Sequence, residues 1–128
     1  MSQEIITEFK RNGAVYDFDV RDADDAEKFE NAVEKMRDEE KNIQKDGKAS
    51  DIIRKQCKMI KRFFDNCLGE GAGIALCTDK SNISDHYDAY ESFLLMVRSQ
   101  KDDLLSAKNT FAKYSNRQQR RAAEHKKS

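Results

Sequence analysis

The sequence predicts an α+β fold that is mainly helical, with an N-terminal β-hairpin followed by three helices. Near the N-terminus, apolar and polar residues alternate on both sides of an Asn-Gly pair, which is typical of a hairpin. Three later stretches repeat apolar residues at steps of three and four, which is typical of helices. A chain of 128 residues is long enough for one domain. We place that domain over residues 1–114 and expect residues 115–128 to form a flexible basic tail.

The first predicted element is the hairpin, over residues 4–20. Its two arms lie in the sequence EIITEFKRNGAVYDFDV, with Asn12 and Gly13 between them. An Asn-Gly pair suits a type I′ turn because both central residues of that turn need positive φ.

The first predicted helix covers about residues 24–46. Asp24 and Glu27 have the spacing of a capping box, with the aspartate in the role of the usual serine. Apolar residues from Phe29 onward follow with helical spacing, and Gly47 suits the position just after the helix.

The second predicted helix covers residues 50–68. Ser50 can cap it, and apolar residues recur from Ile53 to Cys67 at alternating steps of four and three. This stripe makes it the most buried of the predicted elements, and Gly69 ends it.

The third predicted helix covers residues 84–114 and starts near Asn82 or Ser84. Its apolar stripe includes Tyr90 and Phe93, which are candidate partner-binding residues. At 1.5 Å per residue such a helix spans roughly 46 Å, whereas a domain of this size has a radius of gyration of about 14 Å. The helix therefore either breaks near residues 99–103 or projects and packs against another chain.

Three glycines at alternate positions, Gly69, Gly71 and Gly73, resemble a phosphate-binding loop at first sight. A dinucleotide fingerprint needs GxGxxG after a strand, and a Walker A loop needs a lysine directly after its last glycine. Here a helix precedes the glycines and the next lysine is Lys80. We interpret them as a structural turn: Gly69 ends the second helix, the other two allow a tight reversal, and the apolar residues 74–76 tuck under the helices. No cofactor is expected.

The cysteines and histidines do not form a recognisable catalytic or metal site in the sequence. Cys57 and Cys67 lie on one predicted helix, roughly 15 Å apart along its axis, so they cannot share a metal ion or a disulfide. Cys77 and His86 are nine positions apart, and we expect a buried thiol and an exposed histidine there. The sequence therefore predicts a protein that is not an enzyme, without catalytic residues or a metal ion.

Charge is balanced overall but unevenly distributed. Lys and Arg number 24, as do Asp and Glu, and zero net charge does little to oppose self-association, so we expect a homo-oligomer. Residues 17–40 hold eleven acids against four bases, whereas residues 113–128 hold six bases against one acid. The basic end supplies the remaining candidate partner-binding residues, which are Arg117, Arg120 and Arg121.

The basic end leaves three interpretations open: a solvated terminus, a site for an acidic protein, or a site for nucleic acid. Residues 115–128 contain no aromatic side chain on which a base could stack, so nucleic acid is the least expected partner. The longest uncharged run has eight residues, which is too short to span a membrane, and the N-terminus lacks the apolar segment of a signal peptide. These features predict a cytoplasmic protein.

Several stretches together resemble a family of small proteins from tailed phages and prophages, chiefly of Gram-positive hosts. They are YDFDV after the Asn-Gly turn, EKFENAVEKM, FFDNCLGEGAGIAL, SNISDHYDAYESFLLMV and YSNRQQRR. The resemblance covers nearly the whole chain, and its more specific features are GEG after the aromatic-rich helix and the final NRQQRR. This family in turn resembles the tail assembly chaperones.

The resemblance implies a function in phage tail morphogenesis inside the host bacterium. A tail assembly chaperone binds the tape measure protein and recruits the subunits of the tail tube, which are copies of the major tail protein. The residues themselves leave an alternative from another class. It is a small phage nucleic-acid-binding or regulatory protein that acts through its basic C-terminus.

Overall fold

The fold is α+β and mainly helical, as predicted. A computed structural model describes the backbone of residues 4–126 and the side chains of residues 4–117. Within this part of the chain the elements are two strands and four helices, one helix more than predicted. They are β1 (Glu8–Arg11), β2 (Ala14–Asp17), α1 (Ala23–Lys41), α2 (Ala49–Leu68), α3 (Ala72–Leu76) and α4 (Ile83–Lys126).

The N-terminal hairpin has the predicted turn. Asn12 and Gly13 both have positive φ, 51° and 78°, as a type I′ turn requires. β1 and β2 pair antiparallel, with Phe9 opposite Tyr16 and Arg11 opposite Ala14. The paired strands are shorter than the predicted arms.

The hairpin turn is tied to the start of α4. Arg11 donates from Nη2 to Asp85 Oδ1 and from Nη1 to Asp88 Oδ2, both at 2.8 Å. Arg11 Nε and Asn12 Nδ2 each donate to the carbonyl oxygen of Leu76 at 3.0 Å. The turn end of the hairpin is thereby fixed against α3 and α4.

Phe93 lies at the centre of the hydrophobic core. Its ring centroid is between 5.2 and 6.5 Å from those of five other phenylalanines, which are Phe9, Phe18, Phe29, Phe63 and Phe64. The hairpin, α1 and α2 all contribute rings, so Phe93, on α4, packs against each of these three parts of the fold. Its side chain is 0% exposed. The prediction that Phe93 contacts a partner is therefore corrected: in this fold it is a core residue.

α1 is shorter at its C-terminal end than predicted, and its capping differs. Its N-cap is Asp22, which makes no side-chain cap, so the predicted capping box of Asp24 and Glu27 is wrong. The carboxylate that bonds to a backbone group ahead of the helix is that of Asp25, which accepts the N–H of Asp19 at 3.0 Å. At the other end the N–H groups of residues 42 and 43 bond three residues back, which tightens the last turn before Gly47 is reached.

α2 ends at Gly69, as predicted, but begins without the predicted cap. The carbonyl of Lys48 accepts the N–H groups of Asp51 and Ile52, so the helix starts ahead of Ser50. Gly69 has φ 114° and ψ 161°, a region that is essentially restricted to glycine. The predicted helix end at a positive-φ glycine is confirmed.

The short helix α3 follows the glycines and was not predicted. Gly71 has φ 90° at its N-cap and turns the chain, as expected, whereas Gly73 lies inside the helix. A Cβ on Gly73 would lie 2.3 Å from the carbonyl oxygen of Lys61, so this glycine permits close packing of α3 on α2 and does not form the turn. Of the apolar segment expected to be buried, Leu76 is buried but Ile74 is 67% exposed.

α4 is continuous from Ile83 to Lys126, so it does not break near residues 99–103. Asn82 caps its start by accepting the N–H of Asp85 at 3.0 Å, and Asn82 is one of the two starting points that the sequence left open. Its 44 residues span roughly 66 Å. The backbone stays helical past the predicted boundary at residue 114. Whether residues 115–128 are mobile in solution remains a prediction.

Candidate partner-binding surface

The body of the domain ends on α4 at Gln100. This side chain is 0% exposed, and its amide oxygen accepts the N–H of Val20 at 2.9 Å. Its amide nitrogen donates to the carbonyl oxygens of Phe18 at 2.8 Å and Ile6 at 2.9 Å. One glutamine thus satisfies three backbone groups where the hairpin arms leave the sheet, and it fixes the position of α4 relative to them.

A few polar contacts follow within one turn of Gln100. Arg21 pairs with Asp103 at 2.8 Å and with Asp19 at 2.8 Å. The ammonium group of Lys101 lies 4.7 Å from the ring centroid of Phe29, a cation–π distance. These contacts mark the rim of the body, and α4 extends beyond them.

The projecting part of α4 carries the same apolar face that is buried inside the body. Val97 and Gln100 are buried, and continuing at steps of four and three leads to Leu104, Ala107, Phe111 and Tyr114. Leu104 is 46%, Phe111 71% and Tyr114 61% exposed. We call Leu104, Ala107, Phe111 and Tyr114 the projecting stripe. Its seven-residue period matches the pattern by which one α-helix packs along another.

The candidate site residues named from the sequence do not form one cluster. Tyr90 is half-buried, with its ring 5.1 Å from that of Phe63, and burial raises the pKa of its hydroxyl. Arg117 is exposed near the end of the described side chains. The side chains of Arg120 and Arg121 lie outside the described residues. The apolar repeat from Val97 onward is the sequence signal that identifies the projecting stripe. That the stripe is exposed follows only from the fold, which shows where the body ends.

A second accessible feature lies between β1 and α4. It is an open groove of about 1110 Å³, with residues 4 and 6–10 on one side and Ser92, Leu95, Met96 and Ser99 on the other. Leu95 is 61% and Ile6 65% exposed. The groove runs beside the edge of β1 that does not pair with β2.

His86 and the cysteine thiols are buried in the core, although the sequence predicted an exposed histidine. His86 is 0% exposed, and its Nδ1 lies 2.7 Å from the carbonyl oxygen of Asn82. Burial lowers the pKa of His86 and raises the pKa of Cys77 to about 11. The prediction of an exposed histidine is therefore wrong. Because the thiolate is the nucleophilic form, a neutral buried Cys77 lacks the activation that cysteine catalysis needs.

Neither a metal cluster nor a membrane-spanning helix occurs in the part of the chain that the structure describes. No group of three or more His, Cys, Asp or Glu side chains there could hold a metal ion. No described helix combines the length and apolar character needed to cross a membrane.

Comparison with known families gives one match. The model of a family described as "Family of unknown function (DUF6673)" matches residues 12–124, which is most of the chain. No curated protein and no solved structure matches. The chain belongs to the DUF6673 family. The match takes in the hairpin turn, α1, α2, α3, α4 up to residue 124, and the projecting stripe.

Proposed function

We propose that the chain is a binding module for a helical protein, and specifically a tail assembly chaperone that holds the tape measure protein and recruits tail tube subunits. The observation that carries the proposal is the projecting stripe. A seven-residue apolar repeat leaves the body on a continuous helix, with Phe111 at 71% exposure. An amphipathic helix of a client can pack along such a repeat at i, i+3, i+4 and i+7.

The contacts around Gln100 suit this function because they hold the stripe at a fixed place. Leu104 lies one turn beyond Gln100, whose amide is bonded to both arms of the hairpin. A rigid base lowers the entropy lost when a client orders the surface. The protein would act without catalysis, in the cytoplasm of the host bacterium, while tails are being assembled.

The test is co-expression with the tape measure protein that this proposal expects to be encoded beside the gene, followed by affinity capture of that client. The variants Leu104→Glu and Phe111→Glu place a carboxylate on the stripe and should abolish capture. Ile74→Glu is the matched control, since Ile74 is 67% exposed but lies on α3, away from the stripe. It should leave capture unchanged.

Two results would contradict the proposal. Capture that is equally strong with Phe111→Glu would show that the stripe is not the site. Absence of capture by the wild type would remove the chaperone interpretation. In that case, binding of duplex DNA that weakens steeply with salt and disappears when residues 115–128 are deleted would favour the nucleic-acid alternative.

A further inference from the structure

The outer edge of β1 carries unpaired backbone groups whose positions follow from the hairpin register. The N–H of Phe18 donates to the carbonyl of Thr7 at 2.9 Å, so Thr7 and Phe18 form a hydrogen-bonded pair. Hydrogen-bonded and non-hydrogen-bonded pairs alternate along an antiparallel ladder. Glu8 and Lys10 are therefore at non-hydrogen-bonded positions, and their N–H and C=O groups point away from β2. Among the described residues, no backbone or side-chain group bonds to them.

This edge is accessible and has space beside it. Glu8 and Lys10 both line the groove of about 1110 Å³ between β1 and α4. Its other wall presents Ser92, Leu95 and Ser99 from α4, with Leu95 61% exposed. An exposed strand edge is a template for pairing with another strand, and the small serines let a second segment approach α4 closely.

We propose that β1 pairs antiparallel with β1 of a second copy of this chain, about a two-fold axis at Phe9. In this register Glu8 of one copy lies opposite Lys10 of the other, and the reverse pair forms symmetrically. Both positions carry the outward backbone groups, so the two pairs provide four N–H···O=C hydrogen bonds. The result is a four-stranded sheet, with Phe9 of each copy facing its own core.

Charge selects this register over its neighbours. Sliding the second strand by two residues places Glu8 opposite Glu8, or Lys10 opposite Lys10, and like charges directly opposite destabilise a sheet. Within one copy the same side chains make only an exposed 3.5 Å ion pair. The outer edge of β2 does not have this complementarity, because its outward backbone groups belong to Val15 and Asp17. The occupant that fits the β1 edge is thus a second copy of β1.

The first experiment measures mass by light scattering and sedimentation at tens of micromolar. The wild type should have twice the 14.8 kDa of one chain. Glu8→Lys and Lys10→Glu should each be monomeric, because each places like charges opposite one another. The double variant Glu8→Lys/Lys10→Glu should be dimeric again. Glu34→Lys, at an exposed position on α1, is the matched control and should remain dimeric.

Mixing the two single variants separates this interface from any other. Glu8→Lys carries two lysines at the edge and Lys10→Glu carries two glutamates, so the mixture should form a heterodimer although neither variant self-associates. In the wild type, hydrogen exchange should be slow at the amides of residues 8 and 10 and should become fast in either single variant. A monomeric wild type, a single variant that remains dimeric, or a mixture that remains monomeric would overturn the proposal and assign Glu8 and Lys10 to protecting the edge instead.

This proposal is independent of the proposed function. A dimer held by the projecting stripe would be dissociated by Phe111→Glu and unaffected by Glu8→Lys. A dimer held by β1 should show the opposite pattern. Client capture and dimer mass are thus separate readouts, and one proposal can fail without the other.

Discussion

The side-chain amide oxygen of Gln100 accepts the backbone N–H of Val20 at 2.9 Å, and this bond fixes where α4 leaves the body. The same amide bonds the carbonyls of Phe18 and Ile6, so the glutamine is buried with its polar atoms satisfied. Beyond Gln100, the face of α4 that is buried in the body continues as the exposed projecting stripe. Gln100 is thus one of the contacts that set the position of the stripe relative to the body.

Replacement of Gln100 by leucine should destabilise the protein strongly. The change leaves the N–H of Val20 and the carbonyl of Phe18 buried without a partner, and each unsatisfied group costs about 1–3 kcal/mol. We expect the free energy of unfolding, measured with urea, to fall by at least about 2 kcal/mol. Ser99→Ala, at an exposed neighbouring position, should change it by less than about 0.5 kcal/mol. Equal effects of the two variants would contradict the role given to Gln100.

The glycines of the α2–α3 connection should differ in how they respond to alanine. Gly73→Ala puts a Cβ 2.3 Å from the Lys61 carbonyl oxygen, so it should cost about 1–3 kcal/mol or more through overpacking. Gly69→Ala meets no atom within 4 Å, but φ 114° should cost about 1–3 kcal/mol in backbone strain. Gly47→Ala, with neither problem, is the control and should be close to neutral. Urea midpoints that are the same for Gly73→Ala and Gly47→Ala would show that α3 does not pack closely on α2.

Alanine substitution should have different effects on stability at a buried and at an exposed phenylalanine. Phe64 is 0% exposed and packs on Phe93 at 5.5 Å, so Phe64→Ala should cost roughly 3–5 kcal/mol. Phe111 is 71% exposed, so Phe111→Ala should change stability by less than about 0.5 kcal/mol. Chemical denaturation of both variants checks this pair. A large loss for Phe111→Ala would mean that the free protein already buries the projecting stripe.

The buried imidazole of His86 should make stability depend on pH. Burial lowers its pKa in the folded state, so below the ordinary value of about 6.5 the unfolded chain binds more protons than the folded one. Its contribution is complete above pH 6.5 and declines as the pH falls from there toward the lowered folded pKa. His86→Leu should reduce the loss of melting temperature between pH 7.5 and pH 5.5, a range chosen to span about 6.5. A pH profile identical to that of the wild type would contradict this assignment.

The sequence was sufficient to predict the elements whose signals are local. The Asn12-Gly13 turn and the end of α2 at Gly69 depend on neighbouring residues only, and both agree with the structure. α3 could not be predicted because its five residues are too few for a periodic pattern. Its position depends instead on the contact between Gly73 and Lys61, which belong to different helices.

The candidate site was only partly predictable for the same reason. The stripe along α4 was visible in the sequence, but Phe93 and Phe111 look alike in such a pattern. Only the fold shows that Phe93 is enclosed by five rings whereas Phe111 lies beyond the rim of the body. Burial of His86 likewise depends on packing between elements, because its neighbours along the chain, Asp85 and Tyr87, are polar or exposed.

The central claim is that the projecting stripe of α4 is a partner surface for a helical client. The most direct measurement is amide hydrogen exchange along α4 in the free protein and after addition of the tape measure protein. Residues 89–100, inside the body, should be protected in both states. Residues 104–117 should exchange faster in the free protein and become protected with the client, and Phe111→Glu should prevent that change. Exchange at residues 104–117 that is the same with and without client, or protection that appears only elsewhere, would contradict the account.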